Sequence, residues 1–233
     1  MKEKNRWKEV WNRRFGSASG LNLSQLIQLD GFDTGAGRIK ESDWRVYASV
    51  IAKKIGLFDG AAIFEVGCGA GALLWAFREE YLLNIGGIDY ASGLIDVARK
   101  VIPEGKFLVD EAIALDVDER YDYVIANGVF HYFDINYAAE VLRRMIKKAK
   151  RAVVVTEVPD LNMKKASEAL RRSMLSQEEY KIKYTGLEHT YYLRNWFRLQ
   201  AKLFNLKCEL FDGCVPNYAQ NKFRFGCVIK KIT

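Results

Sequence analysis

The residues best placed to do chemistry are Glu65-Val66-Gly67-Cys68-Gly69-Ala70-Gly71, an acid and three alternating glycines set between two apolar runs, Ala62 to Val66 and Ala72 to Phe77. The first run is short enough for one buried parallel strand and the second suits a helix, which makes the glycines the turn between them. Glycine lets the backbone turn sharply and lets a ligand come close to the amides, while a helix N-terminus presents N–H groups with no partner of their own. A second run, Asn84-Ile85-Gly86-Gly87-Ile88-Asp89-Tyr90, ends in an acid. It falls about 20 residues beyond the glycines, where βαβ nucleotide-binding units hold a carboxylate against ribose hydroxyls.

A dinucleotide loop needs Gly-x-Gly-x-x-Gly, whereas here the glycines fall at 67, 69 and 71 behind an acid at 65, and this spacing decides against a dinucleotide. The combination resembles the first two motifs of class I S-adenosylmethionine (SAM)-dependent methyltransferases. The resemblance implies that Glu65 helps hold the methionine end of SAM, that the loop of Gly67, Cys68, Gly69 and Gly71 passes beneath it, and that Asp89 takes both ribose hydroxyls. It further implies Tyr90 against the adenine or ribose. After a third strand at Lys106 to Val109 it places Glu111 and Ala112 at the adenine edge, with Asp110 as the alternative if the register slips by one. Asn127-Gly128-Val129-Phe130-His131-Tyr132-Phe133 follows a fourth strand, Tyr121 to Ala126, and resembles the segment that runs beneath the methionine portion of SAM in small-molecule members. That puts Asn127 at the cofactor. The chain lacks the Asp/Asn-Pro-Pro-Tyr turn of members that act on planar amide or base nitrogens, which lowers nucleobase and glutamine methylation.

Methyl transfer is an in-line displacement, so the protein mainly has to place the acceptor and exclude water. A hydroxyl acceptor benefits from a base near neutral pH, and the chain has only two histidines, His131 and His189. His189 is expected to act as base or acceptor-positioning group, the competing reading being a cap on a helix beginning near Tyr191. His131 is the next candidate, with Tyr191, Tyr192 or Glu157 as orienting groups. The expected reaction yields S-adenosylhomocysteine (SAH) and a methylated small molecule, with a hydroxyl or carboxylate oxygen ranked first. Nitrogen or carbon transfer on a small or carrier-bound substrate is the alternative. A non-catalytic nucleotide-binding protein and an RNA methyltransferase are the readings from other classes, the latter resting only on the basic balance.

The elements that must position these groups read as one α/β domain: 233 residues, about half apolar, without repeats or low-complexity blocks. The expected fold is a Rossmann-like seven-stranded, mostly parallel sheet with helices on both faces and an antiparallel C-terminal hairpin from Leu206 to Phe211 and Phe223 to Ile229. Residues 1–58 are expected to form a helical cover and residues 59–233 the SAM-binding core, with a helical lid inserted at 160–190. In the cover, Trp7, Val10, Trp11 and Phe15 share one helix face, and Trp11 is expected to close on the cofactor. A second helix spans Leu21 to Leu29, the loop Asp30 to Gly37 faces substrate, and a third helix runs from Ser42 to Ile55 and stops at Gly56. A packed helix is expected over Trp196, Phe197, Leu199, Ala201, Leu203 and Phe204.

The net charge of +7 gathers in pairs such as Arg143-Arg144 and Lys147-Lys148, expected on a solvated helix face, and leaves an anionic acceptor open. Four cysteines show no Cys-x-x-Cys pair and no histidine at metal spacing, so free thiols and no metal site are expected. No apolar run approaches the ~18 residues of a membrane span and the first residues lack an apolar signal core, from which a cytoplasmic location is expected.

Overall fold

A computed structural model describes residues 4–14, 20–32, 39–185 and 187–231. Its strands are β1 (Ala62–Val66), β2 (Asn84–Asp89), β3 (Lys106–Val109), β4 (Tyr121–Asn127), β5 (Ala149–Pro159), β6 (Lys207–Asp212) and β7 (Arg224–Lys230). They form one seven-stranded sheet in the order β3-β2-β1-β4-β5-β7-β6. β1 to β5 pair in parallel, and β7 runs antiparallel to both β5 and β6. Within the expected C-terminal pair, therefore, β7 alone reverses and β6 runs with the parallel set. The chain leaves β1 for one side of the sheet and returns through β4 on the other, and the crevice above that switch point is where open α/β sheets bind ligands.

The central strands are nearly continuous apolar runs because helices cover both faces. One face carries α2 (Leu23–Leu29), α3 (Glu41–Ile55), α4 (Ala72–Glu80) and α5 (Ser92–Val101), whose Leu26, Trp44, Leu74 and Leu94 join Ile63 and Ile125 in one core layer. The other face carries α6 (Ile135–Lys148) and α9 (Arg194–Lys202), whose Val141, Leu142 and Phe197 pack on Phe64, Val124 and Val153. The remaining helices are α1 (Lys4–Asn12), α7 (Lys164–Ser173) and α8 (Gln177–Tyr184). Local signals set several ends: Asn22 and Gln25 form a capping box on α2, Asp134 caps α6, and Gly56 ends α3 at a left-handed φ of 68°.

Three expectations change. α9 begins at Arg194 behind Leu193, so His189 caps no helix. Within that helix region Leu199 and Leu203 are 55% and 74% exposed, because α9 meets the sheet along a narrow stripe through Phe197 and Ala201. Lys148, expected in solvent, is buried: its ammonium lies over the Phe64 ring and donates to the carbonyls of Asp116 (2.9 Å) and Glu119 (2.7 Å), which replace the water it loses. Phe15 and most of the Asp30 to Gly37 loop lie outside the described residues. Among the described residues no helix is long and apolar enough to cross a membrane, and no cluster of His, Cys, Asp or Glu could hold a metal ion.

Candidate active site

The glycine turn lies where β1 meets α4, with Gly67, Gly69 and Gly71 all at left-handed φ. The Gly67 and Cys68 amides both donate to the Ile88 carbonyl (2.7 and 3.1 Å), which ties the turn to β2. A Cβ on Gly67 would overlap the Val129 side chain, so the turn is pinned under the segment that follows β4. A Cβ on Gly69 would overlap the Asp30 carboxylate, not open space. Asp30, at the end of α2, accepts from the amides of Ala70 (2.6 Å) and Ala72 (2.9 Å) and thereby fills the N-terminus of α4 with a carboxylate of the chain itself. Its role was not legible in the sequence, because the partners lie 40 and 42 residues away.

Two more acids complete the pocket. Asp89 accepts from Ala91 (2.8 Å) on one oxygen and Gly69 (3.0 Å) on the other, and each oxygen keeps a second lone-pair site for a hydroxyl. Glu65 is 3% exposed and its Oε2 has no hydrogen-bond partner. Burial pushes Asp30 up to about 7, and it raises Asp89 above and Glu65 well above the usual carboxylate range; neighbouring carboxylates add to each shift. Three carboxylates around one glycine turn, one with an orphaned oxygen, suit a ligand carrying positive charge, such as an ammonium or sulfonium.

These groups line a cleft that holds about 720 Å³ of empty space, counting the part open to solvent, together with Trp11, Tyr90, Asp110, Glu111, Ala112 and Asn127. The Asn127 Oδ1 accepts from Tyr47 Oη (2.8 Å) and Thr156 Oγ1 (2.9 Å), which fixes the side chain with its amide nitrogen as the remaining donor. Glu111 is ion-paired with Lys8 and accepts from Tyr137 Oη (3.4 Å), while Asp110 accepts from the Glu111 amide (2.7 Å). Lys8 and Trp11 both belong to α1, and Trp11 is part of the cavity wall.

A second cavity, with about 1620 Å³ of empty space counting the part open to solvent, shares the walls Trp11, Asp30, Phe32, Gly128 and Tyr132 with the first. His131 and His189 meet there with ring centroids 4.3 Å apart, and Trp7 stacks on His189 at 5.3 Å. The Thr190 amide donates to the His131 carbonyl (2.9 Å), which brings the two histidines together across 58 residues of sequence. Burial drives both imidazoles well below their usual pKa, and nearby charge deepens the shift, so both stay neutral and serve as hydrogen-bond partners better than as proton takers. Tyr191 lines neither cavity; its hydroxyl accepts from Arg171 at 2.9 Å. The second cavity also holds Glu157, Gln220 and Arg224, of which only Glu157 drew attention in the sequence, as an orienting group. The available signal was polarity inside apolar strands: Glu157 two residues before Pro159, and Arg224 at the head of the last strand.

The methyltransferase-domain family matches residues 64–153. Trans-aconitate 2-methyltransferase of Enterobacter sp. is 26% identical over 137 residues, 57% of this chain and 52% of that protein. Demethylmenaquinone methyltransferase of Thermotoga maritima is 26% identical over 130 residues, 55% of this chain and 48% of that protein. The chain thus spans about half the length of the curated relatives it matches. The crystal structure of magnesium protoporphyrin IX methyltransferase from Synechocystis with bound SAH aligns with a TM-score of 0.64 at 12% identity, over 99% of this chain and 100% of that one, a likeness of fold. The sheet order and the glycine turn with its flanking acids are those of a Rossmann-like fold, and the domain match falls on the segment that carries the turn. Residues 64–153 are thus similar to the methyltransferase-domain family, and the whole chain shares the fold of a SAH-bound methyltransferase.

Proposed function

We propose that this protein transfers the methyl group of SAM to an oxygen of a small molecule bound in the second cavity. The observation that carries this reading is the pair of adjoining cavities with opposite chemistry: carboxylates around the glycine turn, guanidinium and imidazole groups beyond Tyr132 and Gly128. SAM supplies an electrophilic methyl on a cationic sulfonium. On this chain the orphaned Oε2 of Glu65 suits its ammonium and Asp89 its ribose hydroxyls, with Gly67, Cys68, Gly69 and Gly71 beneath. Tyr90, Ala112 and Glu111 or Asp110 would flank the adenine, Asn127 would meet the methionine end, and Trp11 would close the wall toward the acceptor. His131 and His189 would position the acceptor, and Tyr191 would act behind them through Arg171. The relatives are named for unlike acceptors, trans-aconitate and demethylmenaquinone, so the acceptor is read from this chain's own cavity.

Calorimetric titration with SAH tests the cofactor half. Binding to the wild type is expected, and Glu65→Gln should weaken it about 10-fold, since a hydrogen bond to a charged group contributes roughly 1.5–3 kcal/mol. A folded wild-type protein with no affinity for SAH would end the reading. His189→Asn tests the acceptor half: it should leave SAH affinity unchanged and raise KM for an acceptor found by screening with methyl-labelled SAM. A fall in kcat of about 100-fold at constant KM would instead make His189 the base.

A further inference from the structure

Glu157 departs from the strand that carries it. Its φ is 58°, a left-handed conformation that side chains other than glycine rarely adopt, and it sits where the pairing of β5 with β7 shifts between Val155 and Val158. Bulges of this kind re-aim a side chain and recur beside active sites. The residue is 4% exposed, yet its Oε2 has no hydrogen-bond partner. A strained backbone, a buried carboxylate and a missing partner all oppose stability, a combination that persists where it serves a site. Glu157 lines the second cavity, and its Cβ lies 4.0 Å from where a Cβ of Gly128 would be, on the wall the two cavities share.

Facing it is Arg224 of β7, also 4% exposed, which donates from one terminal nitrogen to the Glu157 carbonyl (3.0 Å) and leaves its Nε–H buried without a partner. Gln220 is 3% exposed; its Oε1 accepts from Ser167 Oγ (2.9 Å), and its Nε2 is likewise unpartnered. Arg14 and Arg171 also line this cavity, against the two acids Asp30 and Glu157. Buried donors without partners, under an excess of cationic groups, favour an anionic oxygen.

We propose that Glu157 is the proton acceptor of the transfer reaction and that the acceptor is a small hydroxy acid, its carboxylate held by Arg224 and Gln220 while its hydroxyl donates to Glu157. This rests on the methyltransferase reading. The acceptor's oxygen uses one electron pair to form the bond to the methyl carbon, the pair of the breaking carbon–sulfur bond returns to sulfur, and the hydroxyl proton passes to Glu157 and then to solvent. The products are a methyl ether, SAH and one proton. Burial pushes Glu157 up to about 7, with Arg224 pulling it back, a value suited to taking a proton near neutrality. The other groups that face it are Tyr47 from α3 and Cys214 and Tyr218 from the β6–β7 connection, all raised by burial and therefore neutral, while Asp30, Arg14, Arg171 and the two neutral histidines line the same cavity.

Glu157→Gln tests the assignment in two ways. Without any acceptor, its SAH affinity should stay within about twofold of wild type. A carboxyl raised above its unfolded value of 4.5 costs nothing below that pH and progressively more up to about 7, so the variant should melt above wild type at pH 8 and the gap should close toward pH 4.5. With SAH present, malate and 3- and 4-hydroxybenzoate serve as probes, and phenol as the probe without a carboxylate. At least one hydroxy acid should bind more tightly than phenol and lose about 10-fold or more in Arg224→Gln. Transfer of labelled methyl to that acid should fall about 100-fold or more in Glu157→Gln and partly recover in Glu157→Asp. A Glu157→Gln protein that melts below wild type at pH 8, or that transfers methyl at the wild-type rate, overturns the base assignment. Phenol binding as well as every hydroxy acid, or no hydroxy acid binding, overturns the acceptor class. Failure of wild type to bind SAH would strike the methyltransferase reading instead.

Discussion

Asp89→Asn is expected to weaken SAH binding by roughly 10- to 100-fold, the equivalent of the 1.5–3 kcal/mol that hydrogen bonds to a charged group contribute. The carboxylate has two tasks. Its oxygens hold the amides of Gly69 (3.0 Å) and Ala91 (2.8 Å), and their remaining lone pairs face the cavity. Asparagine keeps one oxygen, so one amide loses its partner and, in the binding mode proposed above, one ribose hydroxyl loses it too. The fold should survive: an unmatched amide costs about 1–3 kcal/mol, and the variant is relieved of a carboxylate whose ionised form burial disfavours. Asp89→Ala should be worse on both measures, since it strands both amides. Calorimetry on a folded Asp89→Asn protein decides the matter; wild-type affinity there would remove Asp89 from the cofactor site.

The largest effect on stability is expected at Gly67. Alanine there would have to adopt a φ of 71°, which costs roughly 1–2 kcal/mol, and its methyl would collide with Val129, for which overpacking typically adds about 1–3 kcal/mol. Gly67→Ala should therefore lose roughly 2–5 kcal/mol in urea unfolding. Because Val129 lines the first cavity, relief by shifting that side chain should also lower SAH affinity. The double variant Gly67→Ala/Val129→Ala separates the two causes: the collision disappears, the backbone cost stays, and about half the loss should return. A single variant within about 0.5 kcal/mol of wild type would mean that the turn is not pinned under the segment after β4.

The features legible in the sequence are those that a short window of residues determines. An apolar run as long as one strand, glycines at alternate positions and a helical apolar run specify β1, the turn and α4, because turn geometry and side-chain period are local. The same logic locates Asp89 at the end of β2 and Asn127 at the end of β4, since a parallel sheet with crossover helices carries strand ends to one edge. Tertiary structure alone decided which distant groups meet those ends. Asp30 reaches the amides of Ala70 and Ala72 only because α2 packs beside α4. His189 joins His131 instead of capping a helix because the Asp160–Tyr192 bridge ties its segment to the end of β5 and the Thr190 hydrogen bond ties it to the segment after β4. Glu157 turns toward the second cavity because β5 bulges against β7, and Arg224 arrives on that same partner strand, 67 residues away. Strand register and neighbour choice follow from the summed packing of whole layers. No local spacing encodes them, and so Glu65 and Asp89 beside the glycine turn could be read in advance while Asp30 and the second cavity could not.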